Sequence, residues 1–377
     1  MKSTMIVLFA LMSTQAFAAA TVEAGAEILI GQCAAMAGPA SGLGTEMHRG
    51  LKASIDAVNA RGGVHGRKIR LESGDDGYEP EKAVECTGKM IEQTKVFALA
   101  GYVGTPTGKV AAPMVQELKV PLIGLFTGAM IFREPVQRYV INIRASYDDE
   151  TEALVNHMTT KLGAKKIAVF YQNDSFGQAG LSGTEKALAR RKMPLVSKGT
   201  FERNTIAVQS GLAAVMQGEP DAVVMVGPYK PIAEFVRQAQ KVDLKATLAT
   251  ISFVGTDSLL QDLGSAGNGL LISQVVPSPD HTNIPLVKEY LADLAKAEAG
   301  AKPSYVSFEG YVTGRFLIAA LEKAGKELNR EALIDTIEGV SGLDLGGMKL
   351  SFSATNHQGS TVVFLTKVEN GKAVQFQ

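Results

Sequence analysis

The chain has 377 residues, in which 38 Lys plus Arg balance 38 Asp plus Glu, with five His, two Cys and no Trp. Zero formal charge and no basic patch interleaved with aromatics exclude nucleic acid and an anionic membrane surface as partners. Histidines scattered at 48, 65, 157, 281 and 357 and two distant cysteines offer no metal site.

The amino end reads as an address rather than as structure. Lys2, the apolar run Met5–Met12 and Ala16-Phe17-Ala18 form a secretory signal with an A-x-A cleavage site, so 1–18 is expected to be removed. The run is too short to span a bilayer, and no later segment reaches the roughly 18 apolar residues that a transmembrane helix needs. The mature chain is expected to be exported and soluble, with a length that suits two domains of about 150 residues each.

Glu27–Ala35 is a near-continuous apolar run, the pattern of a buried strand. A loop rich in Gly, Pro and Ser follows, then a helix over Thr45–Arg61 with Met47, Leu51, Ile55 and Val58 at helical spacing, ended by Gly62-Gly63. Arg67–Ser73 is a second strand, Asp75–Pro80 an acidic turn and Glu81–Gln93 a helix. The stretch Val96–Ala129 places a strand, a Gly-rich break at Gly101–Thr107, a helix, a second strand and then Thr127-Gly-Ala129 in succession. Backbone N–H groups freed at such helix starts converge on a crevice suited to a small anion.

The pattern restarts at Ser146. Helices are expected at Asp148–Leu162, Gly180–Lys192, Val208–Gln217 and Ile232–Lys241, with strands at Lys166–Tyr171, Leu195–Phe201, Ala222–Val226, Ala246–Ile251 and Leu270–Val276. Gln172–Gly177 reads as a loop. Helices Pro285–Ala299, Tyr305–Ala324 and Arg330–Glu338 have no sheet of their own and are expected to pack back on the first unit, before strands Gly346–Phe352 and Ser360–Glu369. Strand and helix alternate throughout, which specifies an α/β fold with parallel sheets in two lobes.

Catalytic motifs are absent or fail. Gly104-Thr-Pro-Thr-Gly-Lys109 is one residue short of a phosphate loop, and Val110 stands where Ser or Thr is required. No dinucleotide fingerprint, nucleophile elbow or H-E-x-x-H helix occurs, so no cofactor and no enzymatic chemistry are expected. Asp75-Asp76 reads as a solvated turn whose carboxylates cap the next helix, against the alternative of an acid/base pair. Cys33 and Cys86 lie on neighbouring elements of one α/β layer; in an exported chain a disulfide is expected, with two small buried thiols as the alternative. Tyr78, Tyr102, Phe126, Tyr171, Phe176, Tyr229 and Phe253 fall at strand ends or loops in both halves, which suggests a cleft between lobes.

The order of motifs resembles a known family. Ile28-Leu-Ile-Gly31, Ala37-Gly-Pro-Ala40, Leu43-Gly44, Arg49-Gly50, Asn59–Arg67, the Asp75-Asp76…Pro80 turn and Gly325 after an L-x-x-A-L-E-K helix are similar to the periplasmic solute-binding proteins of ABC importers. The likeness is to the branched-chain amino acid (leucine/isoleucine/valine) binding group. It implies a type I periplasmic binding fold, two Rossmann-like lobes (three-layer αβα sandwiches) joined by three crossing segments. The lobes would comprise 24–144 plus 277–350 and 145–276 plus 351–377. It further implies a monomer that closes on a small molecule and delivers it to an inner-membrane ABC permease from the periplasm.

Carried onto this sequence, the resemblance puts Thr105 and Thr107 in the loop that holds a ligand carboxylate, with Thr127 and the amides of Gly128 and Ala129 in a second such loop after Phe126. Leu43 and Tyr102 belong to the first lobe's wall, and Phe176 and Tyr229 are aromatics of the other lobe. Two positions depart from the family. Ser252-Phe253-Val254 stands where a carboxylate commonly pairs with a ligand ammonium, and Met130 stands where a hydroxyl is common. An unpaired buried ammonium is costly, so an aromatic or aliphatic acid or an amide stands beside an amino acid as ligand. The alternatives to transport are a sensory module of the same fold serving a receptor or chemoreceptor, and a secreted α/β enzyme.

Overall fold

The computed structural model describes residues 26–376, so the export signal expected over 1–18 lies outside the described residues. Strand β1 (Ile28–Ala34) leads through α1 (Ser41–Ala60) to β2 (Ile69–Asp75), α2 (Pro80–Gly88), β3 (Ala98–Ala100), α3 (Thr105–Glu117), β4 (Leu122–Ile123) and β5 (Val140–Ile141). These strands form one parallel sheet in the order β2-β1-β3-β4-β5. A second unit begins with α4 (Tyr147–Thr160), β6 (Ile167–Gln172), α5 (Ser175–Arg190) and β7 (Leu195–Phe201). It continues through α6 (Gln209–Met216), β8 (Ala222–Val226), α7 (Tyr229–Lys241), β9 (Thr247–Thr250), α8 (Thr256–Leu263) and β10 (Leu271–Gln274).

The chain then supplies α9 (Pro285–Ala297), α10 (Tyr305–Ala324), α11 (Arg330–Glu338), a two-stranded hairpin of β11 (Leu343–Asp344) and β12 (Lys349–Leu350), and finally β13 (Phe364–Glu369) and β14 (Lys372–Gln375). The second sheet runs β14-β13-β10-β9-β8-β6-β7, antiparallel where β13 meets β10 and β14 and parallel elsewhere. Central strands such as β8 are buried at every residue because helices cover both faces. The chain thus passes between the two sheets three times, after β5, β10 and β12.

Helices α9 to α11 return to the first lobe. Leu286, Tyr290, Phe308, Phe316 and Leu333 share one apolar core with Ile28, Ile30, Leu51 and Ile55. The crossing of α10 over α1 is close enough to require glycine. A Cβ on Gly50 would lie 1.6 Å from the Ser307 carbonyl oxygen, and one on Gly310 would lie 2.2 Å from that of Met47. A second core runs without a break from the α2–α3 face of the first sheet, through Tyr78, Phe126 and Phe253, into the second sheet. Cys33 and Cys86 are joined as a disulfide between β1 and α2, with Cα atoms 6.1 Å apart.

Several expectations shift for local reasons. Helix α5 begins at Ser175, inside the expected loop, because Asp174 Oδ1 accepts the Phe176 N–H at 2.9 Å and the Gly177 N–H at 3.4 Å. Helix α7 starts at Tyr229, three residues early, after Pro228. The expected strand Gly346–Phe352 is instead a hairpin arm, since Gly346 and Gly347 take φ of 100° and 111° and make its turn. Phe352 remains in the first-lobe core, and the chain joins the second sheet only at Phe364.

The α1–α10 crossing generates a test. Gly50→Ala must push two backbones apart, and overpacking of this kind costs about 1–3 kcal/mol. Urea denaturation should show the midpoint falling with the slope unchanged; an unaltered midpoint would mean that the helices separate freely.

Candidate functional site

The first-lobe side of the cleft is built where β3 and β4 end. A bridge between Val103 and Phe126 holds the two loops side by side. Thr105, the first residue of α3, and Thr127 then meet hydroxyl to hydroxyl at 2.7 Å, both fully buried. Ala129 N–H donates to Thr127 Oγ1 at 3.3 Å. Gly128 lies against Tyr147, whose N–H donates to the Gly128 carbonyl at 2.7 Å; a Cβ on Gly128 would fall 2.5 Å from Tyr147 Cδ1. The buried Tyr147 hydroxyl lies beside Thr127 but makes no well-formed hydrogen bond, and burial pushes its pKa up to about 12 against the opposing Arg144 charge.

The second lobe meets this surface with rings. Phe253 stands 5.2 Å from Phe126, 6.1 Å from Tyr78 and 4.4 Å from Phe176 between centroids, and Phe176 stands 5.5 Å from Tyr147. Tyr229 Oη accepts the Gly42 N–H at 3.2 Å across the lobes, beside the buried Leu43. Offset and tilted rings at these distances attract beyond the area they bury.

Arg144 closes one corner. Its guanidinium is 1% exposed, lies 5.1 Å from the Phe126 centroid and 5.8 Å from that of Tyr147, and donates from Nη2 to Glu150 Oε1 at 2.7 Å. Nη2 also donates to Ser252 Oγ, and Nη1 sits 3.3 Å from Glu309 Oε1. Glu150 Oε2 takes the Ser252 N–H at 2.8 Å and the Ser273 hydroxyl at 2.6 Å. Burial opposes the Arg144 charge, but Glu309 and Glu150 outweigh it and hold the group protonated. Burial pushes the Glu309 carboxyl up to about 7, helped by the Glu150 charge and opposed by Arg144. The remaining Arg144 nitrogen, Nε, has no partner.

The cleft rim is polar. Arg203 Nη2 donates to Glu79 Oε2 at 2.9 Å and Nη1 to Asp174 Oδ2 at 3.3 Å. Asn204 Nδ2 reaches Glu79 Oε1 at 2.7 Å, and Gln172 Nε2 donates to Tyr78 Oη at 3.2 Å. All but the Arg203–Asp174 pair, which lies within the second lobe, tie the first lobe to the second.

The expected site residues therefore divide. Leu43, Phe126, Thr127, Thr105, Gly128, Ala129, Phe176, Tyr229, Ser252 and Phe253 lie at this one buried contact between the lobes. Two do not join them. Thr107 turns its hydroxyl back to the Val103 carbonyl at 2.5 Å, and Tyr102 donates to Cys33 Sγ at 3.2 Å inside the first lobe. The reading of Asp75-Asp76 as helix caps is corrected. Asp75 Oδ1 accepts from the N–H groups of Met36, Ala37 and Gly77, while Asp76 is fully buried, binds the Tyr78 N–H at 2.8 Å and leaves Oδ2 unpartnered. Sequence reasoning missed Arg144, Tyr147 and Glu150. The signal available was Arg144-Ala-Ser-Tyr-Asp-Asp-Glu150, a cation beside a capping Ser146 in the segment that links the halves.

Comparison with known proteins agrees with this architecture. A family profile described as periplasmic binding protein matches residues 27–373. The Leu/Ile/Val-binding protein BraC3 of Rhizobium johnstonii is 26% identical over 365 residues, covering 93% of this chain and 94% of its own. The crystal structure of a possible leucine/isoleucine/valine-binding protein from Rhodopirellula baltica SH 1 superposes with a TM-score of 0.90 at 34% identity, over 94% of this chain and 98% of that one. A substrate-binding periplasmic protein from Ralstonia solanacearum gives a TM-score of 0.88 at 26% identity, over 93% of this chain and 100% of that one.

Asp76 generates a pH prediction. Burial, with the Asp75 and Glu79 charges behind it, pushes its carboxyl from 3.8 to about 7. The folded state then holds a proton that the unfolded chain has released, so this contribution is full below the unfolded value and is lost as pH rises through about 7. Asp76→Asn should match the parent only near pH 3, already exceed its stability at pH 5, and lead it by about 2–4 kcal/mol at pH 8, a pKa unit being about 1.4 kcal/mol. Parallel pH slopes for the two proteins in chemical denaturation would refute this.

Proposed function

Since this chain belongs to the periplasmic binding protein family, and to its branched-chain amino acid binding-like members, we propose that it captures a small carboxylate-bearing metabolite between its lobes and hands it to an ABC permease. The class comprises amino acids and related organic or aromatic acids. The observation that carries this reading is the buried Thr105–Thr127 hydroxyl pair, set beside the Gly128-Ala129 backbone and faced across the lobes by Phe253.

In this reading, the two threonines and the Gly128 and Ala129 amides hold the carboxylate. Leu43, Phe126, Phe176, Tyr229 and Phe253 enclose the apolar remainder. The solute touches both lobes only when they are closed, so its binding shifts the population toward the closed form. Arg203 and Asn204 add polar contacts that exist only in that form. The cleft contributes no chemistry: it holds the solute and releases it unchanged. The protein works in the periplasm as a monomer after loss of 1–18, a location and role supported by the family to which it belongs.

A thermal-shift screen of refolded, ligand-stripped protein against amino acids, aliphatic and aromatic acids and amides tests the reading, since a compound that binds only the folded state raises Tm. With no Trp in the chain, a dye supplies the signal. Thr105→Ala and Thr127→Ala should each weaken binding of the best compound by about 1–3 kcal/mol, the range for a hydrogen bond to a charged partner left unmade. Unchanged affinity in both variants would move the pocket elsewhere.

A further inference from the structure

We infer that the cleft selects carboxylates that lack an α-ammonium group, with Arg144 and Tyr147 as the residues that set this preference. The inference rests on the reading of the cleft as the carboxylate site and narrows its ligand class.

The donors and acceptors around the cleft do not balance. An α-ammonium brings three N–H donors and a charge, and in a water-excluded cleft it needs a free carboxylate. The carboxylates that border the cleft are engaged by the protein itself. Glu150 serves Arg144 through Oε1, and Ser252 N–H and the Ser273 hydroxyl through Oε2. Glu309 faces Arg144 Nη1. Asp174 caps α5 through Oδ1 and takes Gln172 and Arg203 through Oδ2. Ser252, at the position where an acidic side chain would pair with an ammonium, has its hydroxyl held by Arg144.

The unspent groups beside Thr127 are donors. Arg144 Nε–H is buried and without a partner, and the buried Tyr147 hydroxyl lies beside Thr127 with no well-formed hydrogen bond of its own. The Thr105–Thr127 pair satisfies one of its two hydroxyl hydrogens internally and leaves the other to give. Three donors, one of them on a guanidinium, match the lone pairs of a carboxylate, and charge-assisted bonds of this kind are the stronger ones. An ammonium would meet them with like polarity. The surrounding rings of Phe126, Phe176 and Phe253 suit an aliphatic or aromatic body. Three acceptors around the cleft do stay open, Asp76 Oδ2, Gln172 Oε1 and Asn204 Oδ1. All three lie around Tyr78: Asp76 binds its N–H, Gln172 its hydroxyl, and Asn204 donates to the carbonyl of the preceding Gly77, whereas Arg144 stacks on Phe126 and Tyr147.

Isothermal titration of the ligand-stripped protein with two matched pairs decides the point: 4-methylpentanoate against L-leucine, and 3-phenylpropanoate against L-phenylalanine. The structure predicts that in at least one pair the acid binds 100-fold or more tightly than its α-amino partner. Equal or tighter binding of the amino acid overturns the inference while leaving the carboxylate reading intact, and loss of that binding in Asp76→Asn would assign the ammonium to Asp76. Silence from all four compounds overturns the carboxylate reading itself. Tyr147→Phe, which removes only the hydroxyl, should weaken the binding acid tenfold or more and leave the matching primary amide within twofold. An equal loss for acid and amide would reduce Tyr147 to a packing role and overturn its part in the selection.

Discussion

A guanidinium sealed from water has to be answered by charge inside the fold, and Arg144 is answered from three directions at once. Its partners are Glu150 at the start of α4, Ser252 after β9 and Glu309 on α10. Arg144 itself lies in the first passage between the two sheets. One side chain therefore joins an incoming strand, the second lobe and a helix of the first lobe. Truncating it would strand two buried carboxylates, a worse outcome than never having built the pair. Because the same cation lies over Phe126 and Tyr147, the network that holds the passage also fixes the rings that border the cleft.

Around that fixed corner, apolar and polar contacts divide the work of holding the lobes together. The rings of Phe126, Phe176 and Phe253 are removed from water and supply strength without direction. The rim pair of Arg203 with Glu79 is partly exposed, so it adds little net energy, about 0–1 kcal/mol. Its geometry instead dictates which alignment of the lobes is allowed. Tyr229 on Gly42 does the same at the far wall. Strong nonspecific burial and weak directional bonding together define one closed arrangement.

How far this was legible depends on the distance over which each feature is decided. Strands β7 and β8 and helix α10 could be read to the residue, because their apolar periods are local and long. Strand β4 could not: only Leu122 and Ile123 pair, since Gly124 turns to a φ of 66° before the apolar run ends. The two threonine loops were readable because Thr105 and Thr127 each follow an apolar run broken by a glycine, Gly101 and Gly124. The Arg144 cluster was not, since Glu150, Ser252 and Glu309 lie 6, 108 and 165 residues away. Asp76 misled for a related reason. A carboxylate in a Gly- and Pro-rich turn looks solvated until Tyr78, at a φ of 62°, folds back and covers it.

The return of α10 to α1 has a consequence for the order in which the molecule is made. Ser304 donates to Glu46 across 258 residues of sequence, and the backbones of the two helices meet at Gly50 and Gly310. Strands β6 to β10, by contrast, are consecutive in the chain and lie beside one another in their sheet. As the chain lengthens from its amino end, the second lobe's central sheet has its neighbours at hand early. The face of α1 stays uncovered until nearly the whole polypeptide exists. Contacts of such long range are the slow ones to form, and an apolar face exposed in the interval invites self-association. The lobe whose synthesis begins first thus waits for α10 before its core can close, and only β13 and β14 of the second sheet follow later.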